Sequence, residues 1–171
     1  GGTVGFMDVF VIRHAIAVPA EPGEDDAARE LTPDGERKFK RAVQGLRELG
    51  WCFDRVLTSP WRRALATAEL LEPVTDGSTI VTDLLCDKPR PELFALIAET
   101  AGVHTKHHAT AVVGHEPWLS ELVAWLAFGD PRHGEAIDLK KGGMVWLQGS
   151  AVPGGMMIRA LLTPKILRAL R

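Results

Sequence analysis

The sequence predicts a single α/β domain whose mostly parallel sheet is covered on both faces and closed by an antiparallel edge. Three observations lead there. Apolar runs rich in β-branched residues, the signature of strands buried on both faces, occur at residues 9–12 and 109–114, with a shorter one at 54–58. Amphipathic stretches of helical period separate them, and that alternation is the mark of crossover-connected parallel strands. Near the end, two strand-like runs at 144–148 and 156–162 flank Pro153-Gly154-Gly155, which reads as a hairpin finishing the sheet.

The elements follow in order. Residues 9–12 form the first strand, and it ends in charge, at Arg13-His14. Residues 17–29, rich in Pro, Glu, Asp and Ala, have no period and read as a loop over that strand's end. Thr32-Pro33-Asp34-Gly35-Glu36 opens a helix: Thr32 caps, Pro33 fits the first helical position, and the acids suit the positive end of the dipole. That helix runs to about Leu49 with Phe39, Val43, Leu46 and Leu49 on one face, and Gly50 stops it. After the strand at 54–58, Ser59-Pro60-Trp61 repeats the cap-then-proline start, and the new helix carries Arg62 and Arg63 in its first turn. Cations there oppose the dipole, whereas an anion at the same N-terminus would be doubly welcome. Residues 79–82 make a weak strand and 91–101 a short helix with Leu93, Leu96 and Ile97 inward. The strand at 109–114 ends in Gly114-His115-Glu116-Pro117, and Pro117 opens a helix through Leu119, Leu122, Val123 and Leu126. Residues 165–171 are a short basic segment with no evident chemistry.

At 171 residues and 18.6 kDa the chain suits one core, expected over residues 7–171, with 1–6 a flexible N-terminus or an expression remnant. A net charge of -2 and a pI near 6.3 provide no basic field for nucleic-acid phosphates. No apolar run is long enough to span a membrane. Cys52 and Cys86 stand apart without C-x-x-C spacing or a secretory leader, so two reduced thiols in a cytoplasmic protein are expected.

Parallel strands place all their carboxyl ends on one edge of the sheet, so Arg13 and His14, Arg62 or Arg63, and His115 should meet at one rim. Guanidiniums and imidazoles gathered around one point repel each other unless an anion joins them, and a tetrahedral phosphoryl dianion matches arginine's planar fork. Histidine can also accept a phosphoryl group, provided one ring nitrogen is held as a donor and the other is left to attack. Phosphate-binding glycine loops of nucleotide enzymes and H-E-x-x-H are absent, so no cofactor and no metal are expected.

Val11-Ile12-Arg13-His14, Leu31-Thr32-x-x-Gly35, Thr58-Ser59-Pro60 with Arg62-Arg63-Ala64 and Thr67-Ala68, and Val113-Gly114-His115-Glu116-Pro117 resemble, in order, the signatures of the histidine phosphatase superfamily, the phosphoglycerate mutase-like group. The likeness spans roughly residues 7–126 and is greatest to the short bacterial branch typified by the phosphohistidine phosphatase SixA. It implies a three-layer α/β/α sandwich and a phosphohydrolase acting through a covalent phosphohistidine. His14 would be the nucleophile, Arg13 would bind phosphoryl oxygens, and the family's Ser-Pro-x-x-Arg pattern falls on Arg63, with Arg62 the secondary candidate. His115 would donate to the phosphoryl group and stabilise developing charge.

Ala15 stands where the family usually has Gly. Residues 83–108 leave no room for the long insertion that supplies an acid in larger members, so Glu116 and Asp87 are the candidate general acids, and each also has a plain structural role open to it. Trp61 is placed at the pocket mouth. An uncovered site admits a phosphorylated side chain on another protein better than it encloses a small sugar phosphate. The expected partner is therefore a phosphohistidine-bearing protein, the alternatives being a small phosphate ester or a phosphate-recognising module without turnover. His104, His107 and His108, with Lys106, have no cysteine or carboxylate beside them in sequence, and a metal role for them is discounted.

Overall fold

Six strands form one sheet in the order β3-β2-β4-β1-β5-β6, and the first four of these run parallel while β5 and β6 close the far side antiparallel. The strands are β1 (Met7–Arg13), β2 (Cys52–Thr58), β3 (Thr75–Val81), β4 (His108–Gly114), β5 (Met144–Gly149) and β6 (Met156–Leu162). The helices are α1 (Pro33–Glu48), α2 (Arg62–Glu69), α3 (Pro91–Glu99), α4 (Trp118–Phe128) and α5 (Pro164–Ala169). This computed structural model describes residues 6–100 and 108–170. Among them no helix is long and apolar enough to cross a membrane.

Strand alternation divides the core into two layers. Phe10 and Ile12 of β1 face one way and pack with Phe39, Val43 and Leu46 of α1, Ala64 of α2 and Leu167 of α5. Val9 and Val11 face the other way, toward Leu93 and Ile97 of α3 and Leu119, Leu122 and Leu126 of α4. Burying both faces of β1 and β4 is what their nearly unbroken apolar composition demands, and it gives the three-layer α/β/α sandwich.

Most elements begin where their residues predict. Thr32 Oγ1 accepts from Gly35 N at 2.9 Å to cap α1, and Gly50, at φ 82°, ends it. Three expectations need correction. The segment from Lys165 is not featureless: Thr163 caps a helix, α5, whose Leu167 packs against α1 so closely that a Cβ on Gly45 would lie 1.9 Å from the Leu167 carbonyl. Ser59 does not cap α2, because Trp61 holds the cap position without a side-chain bond and the Ser59 hydroxyl accepts from Trp61 N at 3.1 Å. The strand expected at 79–82 begins earlier, at Thr75, because β3 pairs with β2 across a bulge between Phe53 and Arg55. Gly77 permits this, since a Cβ there would sit 1.6 Å from the Asp54 carbonyl.

Candidate active site

Register brings the site together. Arg13 at the end of β1 is the partner of Gly114 on β4, and Thr58 at the end of β2 is the partner of Val113, so His14, Ser59 and His115 leave the sheet side by side. The main chain continues the ladder one step further: His14 N donates to Gly114 O and Ser59 N to Val113 O, both at 3.1 Å. From the antiparallel side, Gly142 N donates to the carbonyls of Arg13 and His14 at 3.0 Å, and the Gly143 carbonyl accepts from Arg13 N. Gly142 does this at φ 79°, a conformation that favours glycine.

His14 and His115 are both buried, with ring centroids 5.3 Å apart. His14 Nδ1 lies 2.7 Å from the Ala15 carbonyl. A carbonyl can only accept, so Nδ1 carries the proton and Nε2 keeps its lone pair, the tautomer an in-line attack on phosphorus requires. Burial, reinforced by the Arg63 and Arg13 guanidiniums, lowers the His14 pKa to about 4, while the Ala15 bond pulls the other way. Burial also takes His115 down to about 3, followed by Arg63 and His14. Both rings are therefore neutral at physiological pH, and the repulsion expected of four cations is confined to the two guanidiniums.

His115 Nε2 is 2.8 Å from Ser59 Oγ, while its Nδ1 is buried without a partner. Because the Ser59 hydroxyl already accepts from Trp61 N, its own proton is free to go to Nε2, which leaves Nδ1–H as an unused donor. Arg13 spends one terminal N–H on the Leu139 carbonyl at 3.0 Å, and its Nε is buried without a partner. Arg63, 4% exposed, gives one terminal nitrogen to the Asp26 carbonyl at 2.7 Å and the other to Asp26 Oδ2 at 3.0 Å, and its Nε is again unpaired. Among the described residues, the buried side-chain N and O atoms that lack a partner are these three, Arg13 Nε, Arg63 Nε and His115 Nδ1. Buried donors are normally satisfied, so three at the strand ends that carry His14 and His115 leave hydrogen-bonding capacity that an anion can take up.

The remaining candidates separate clearly. Arg62 is exposed and paired with Glu30 at 3.0 Å, away from the buried set. Trp61 lies against the site, 4.6 Å from the His115 ring and 5.0 Å from the Arg63 guanidinium, with Trp118 beyond it at 5.8 Å. Glu116 turns both oxygens to Ser120, accepting from its backbone N at 2.8 Å and from its hydroxyl, and so works as a helix cap. Asp87 is exposed and accepts from Lys88 N. The Ala15 methyl is buried in the core and its N–H donates to Thr67 Oγ1 at 3.0 Å. Sequence patterns did not foretell Asp26. It lies in the aperiodic loop after His14, in a short 3-10 turn, and brings to the rim a carboxylate that grips both Arg63 and Arg29. Those contacts hold its own pKa below the usual carboxylate range against a burial effect of opposite sign. Thus two loop carboxylates, Asp26 and Glu30, answer the two cations at the start of α2.

Of the histidines discounted as metal ligands, His104 and His107, with Lys106, lie outside the described residues. His108 is not isolated as its sequence neighbours suggest: Cys52, Asp54 and Asp76 all stand beside it.

Comparison with known proteins agrees with this fold. The model of the histidine phosphatase superfamily (branch 1) matches residues 9–87. An uncharacterized protein of Picosynechococcus sp. is 35% identical over 148 residues, 85% of this chain and 87% of the relative. Among solved structures, the protein histidine phosphatase SixA complexed with tungstate is similar at TM-score 0.74 and 24% identity, covering 94% of this chain and 99% of that one. A mycobacterial glucosyl-3-phosphoglycerate phosphatase is similar at TM-score 0.70 and 14% identity, covering 92% and 99%.

Proposed function

The chain belongs to the histidine phosphatase superfamily, and on that premise we propose that it hydrolyses phosphohistidine on a protein through a covalent phosphoryl intermediate on His14. The observation that carries this reading is the set of unpaired buried donors on Arg13, Arg63 and His115, residues that neighbour a neutral His14 whose Nδ1 is held by the Ala15 carbonyl. In the first step His14 Nε2 attacks phosphorus in line as the bond to the substrate's ring nitrogen breaks. The Ala15 carbonyl steadies the positive charge that develops on the imidazole through Nδ1–H. Arg13, Arg63 and His115 hold the non-bridging oxygens, where preorganised donors supply most of the rate in phosphoryl transfer. In the second step water attacks the same phosphorus, the P–N bond to His14 breaks, and inorganic phosphate leaves. A phosphoramidate nitrogen protonates readily, so this substrate needs less help from a general acid than an alkyl phosphate would. That suits a rim whose carboxylate, Asp26, is committed as an anion to Arg63.

A neighbouring surface favours a protein substrate. Beside the nucleophile, with Ala15 and Gly142 in its wall, lies a cleft of about 390 Å³ lined by Lys38, Lys140, Lys141, Lys165 and Arg168, of which Lys38 and Lys140 are paired with Asp34 and Asp138. In a chain of net charge -2 such a concentration of cations suits the acidic face of a partner. The free thiols of Cys52 and Cys86 are in keeping with a cytoplasmic setting.

The test is to trap the intermediate. With labelled phosphohistidine peptide, wild type should acquire acid-labile, alkali-stable label on His14, and His14→Ala should lose both label and turnover by roughly 10⁴-fold or more. Phosphate binding without an adduct would replace this reading with a non-catalytic recognition module. Faster turnover of small phosphate esters than of phosphohistidine peptides would move the substrate to the small-ester class.

A further inference from the structure

At the other end of the sheet, where β2, β3 and β4 begin, we infer a zinc-binding site built from Cys52, Asp76 and His108. The register puts it there. Cys52 and His108 are partners across β2 and β4, so their side chains stand next to each other on one face of the sheet. On the other flank Phe53 pairs with Thr75, so β3 delivers Asp76 to the same end of β2. The bulge between Phe53 and Arg55 interrupts the ladder on both sides of β2, and bulges commonly re-aim a side chain. Gly77 lets β3 close on the Asp54 carbonyl at a distance no side chain would permit. As a result one potential ligand atom from each of Cys52, Asp76 and His108 lies within 4.8 Å of the other two.

The donor set points to zinc. A thiolate, an imidazole nitrogen and a carboxylate oxygen are its three common protein ligands, and the hard cations magnesium and calcium prefer oxygen alone. Bond lengths near 2.0–2.3 Å in a tetrahedron put ligands roughly 3.3–3.8 Å apart, so small side-chain rotations close the present spacing. Water completes the fourth position, and the thiol releases its proton to solvent as the metal–sulfur bond forms. One ring nitrogen of His108 is already engaged, Nδ1 lying 2.5 Å from Asp54 Oδ1. That contact leaves Nε2 for the metal and supplies the carboxylate that commonly backs a zinc-bound histidine. The site also answers a structural need. β3 is an edge strand with no fully buried residue, and a metal clip would fasten its start to the two strands inside it.

The experiment uses the full chain, free of any affinity tag, with Cys86→Ser so that Cys52 is the sole thiol. Titration with cobalt(II) should give one equivalent of a tetrahedral complex with thiolate-to-cobalt charge-transfer absorption, and zinc should displace it. Cys52→Ser should abolish that absorption. Asp76→Asn, on an exposed position of the edge strand, and Asp54→Asn, behind the histidine, should each weaken binding by about 10-fold or more. Zinc should also slow alkylation of Cys52 and raise the thermal midpoint of the Cys86→Ser chain but not of Asp76→Asn in the same background. Cobalt binding without a thiolate band, or a band indifferent to Asp76→Asn, would overturn the assignment.

Discussion

The two ends of the sheet use histidine in opposite ways. At the carboxyl edge His14 and His115 are buried beside guanidiniums, lose their proton at neutral pH and leave donors unpaired around them. At the amino edge His108 is partly exposed and bonded to Asp54, which raises its pKa. The first environment puts guanidiniums next to its imidazoles, with its one carboxylate, Asp26, bonded to Arg63, and the second puts a carboxylate directly on the ring. Proteins seldom leave buried polar groups unsatisfied, so the unpaired donors at the carboxyl edge are in keeping with the proposed phosphoryl substrate. The amino edge, rich in carboxylate and thiol, has the complementary preference for a cation. Two sites of opposite sign on one rigid sheet can therefore be disturbed independently.

The sharpest way to break this comparison is at His115. Its removal takes away a donor aimed at developing charge, and His115→Ala should lower kcat by about 10²–10³-fold while leaving the amino edge intact. A loss confined to KM would show that His115 only binds. Next comes the pair in α2. Arg63→Ala should weaken vanadate or phosphate binding by about 10²-fold, because it removes a buried guanidinium whose Nε has no partner in the protein. Arg62→Ala should change it by no more than about 2-fold, as expected of an exposed pair. The reverse order would place the phosphate one residue away.

Chelation separates the two edges. Brief EDTA treatment should leave the initial hydrolysis rate unchanged and lower the thermal midpoint of zinc-loaded protein. A rate that collapses at once would put a metal in the chemistry. The smallest effect is in pH dependence. His14 titrates at about 4 in the fold and near 6.5 when unfolded, so the unfolded chain binds more protons between those values. Stability should fall as pH drops from 6.5 toward 4, and His14→Gln should reduce that loss. His108 has the opposite sign: its raised pKa contributes stability that is full below 6.5 and is lost as pH rises through the folded value. His108→Gln should flatten that higher-pH limb in chemical-denaturation curves.

Much of the carboxyl edge is legible in the chain, because parallel topology turns strand ends into neighbours without any knowledge of side-chain contacts. Arg13, His14, Arg63 and His115 all sit within a few residues of a strand's end. Asp26 is not legible: it reaches the rim by way of a loop without period, and only its grip on Arg63 reveals its role. Ser59 stands inside a recognisable helix-start pattern that suggests a cap, whereas it serves the His115 ring. The amino edge is hidden for another reason. Cys52, Asp76 and His108 come from three separate strands, and the glycine that lets β3 approach sits in a stretch, Asp76-Gly77-Ser78, that resembles a turn. The short α5 is masked by its basic composition, though Leu167 is fully buried.

The chain order of the pocket's parts sets when it can be completed during synthesis. All four residues proposed for the chemistry have been added to the chain by residue 115, but the groups that hold them come afterwards: the Leu139 carbonyl bonded to the Arg13 side chain, and Gly142 and Gly143 clamping the backbone at Arg13 and His14. A nascent chain stalled after α4 would carry all four side chains and still lack the segment that holds the backbone at Arg13 and His14. The pocket is therefore completed only once β5 has emerged and paired with β1.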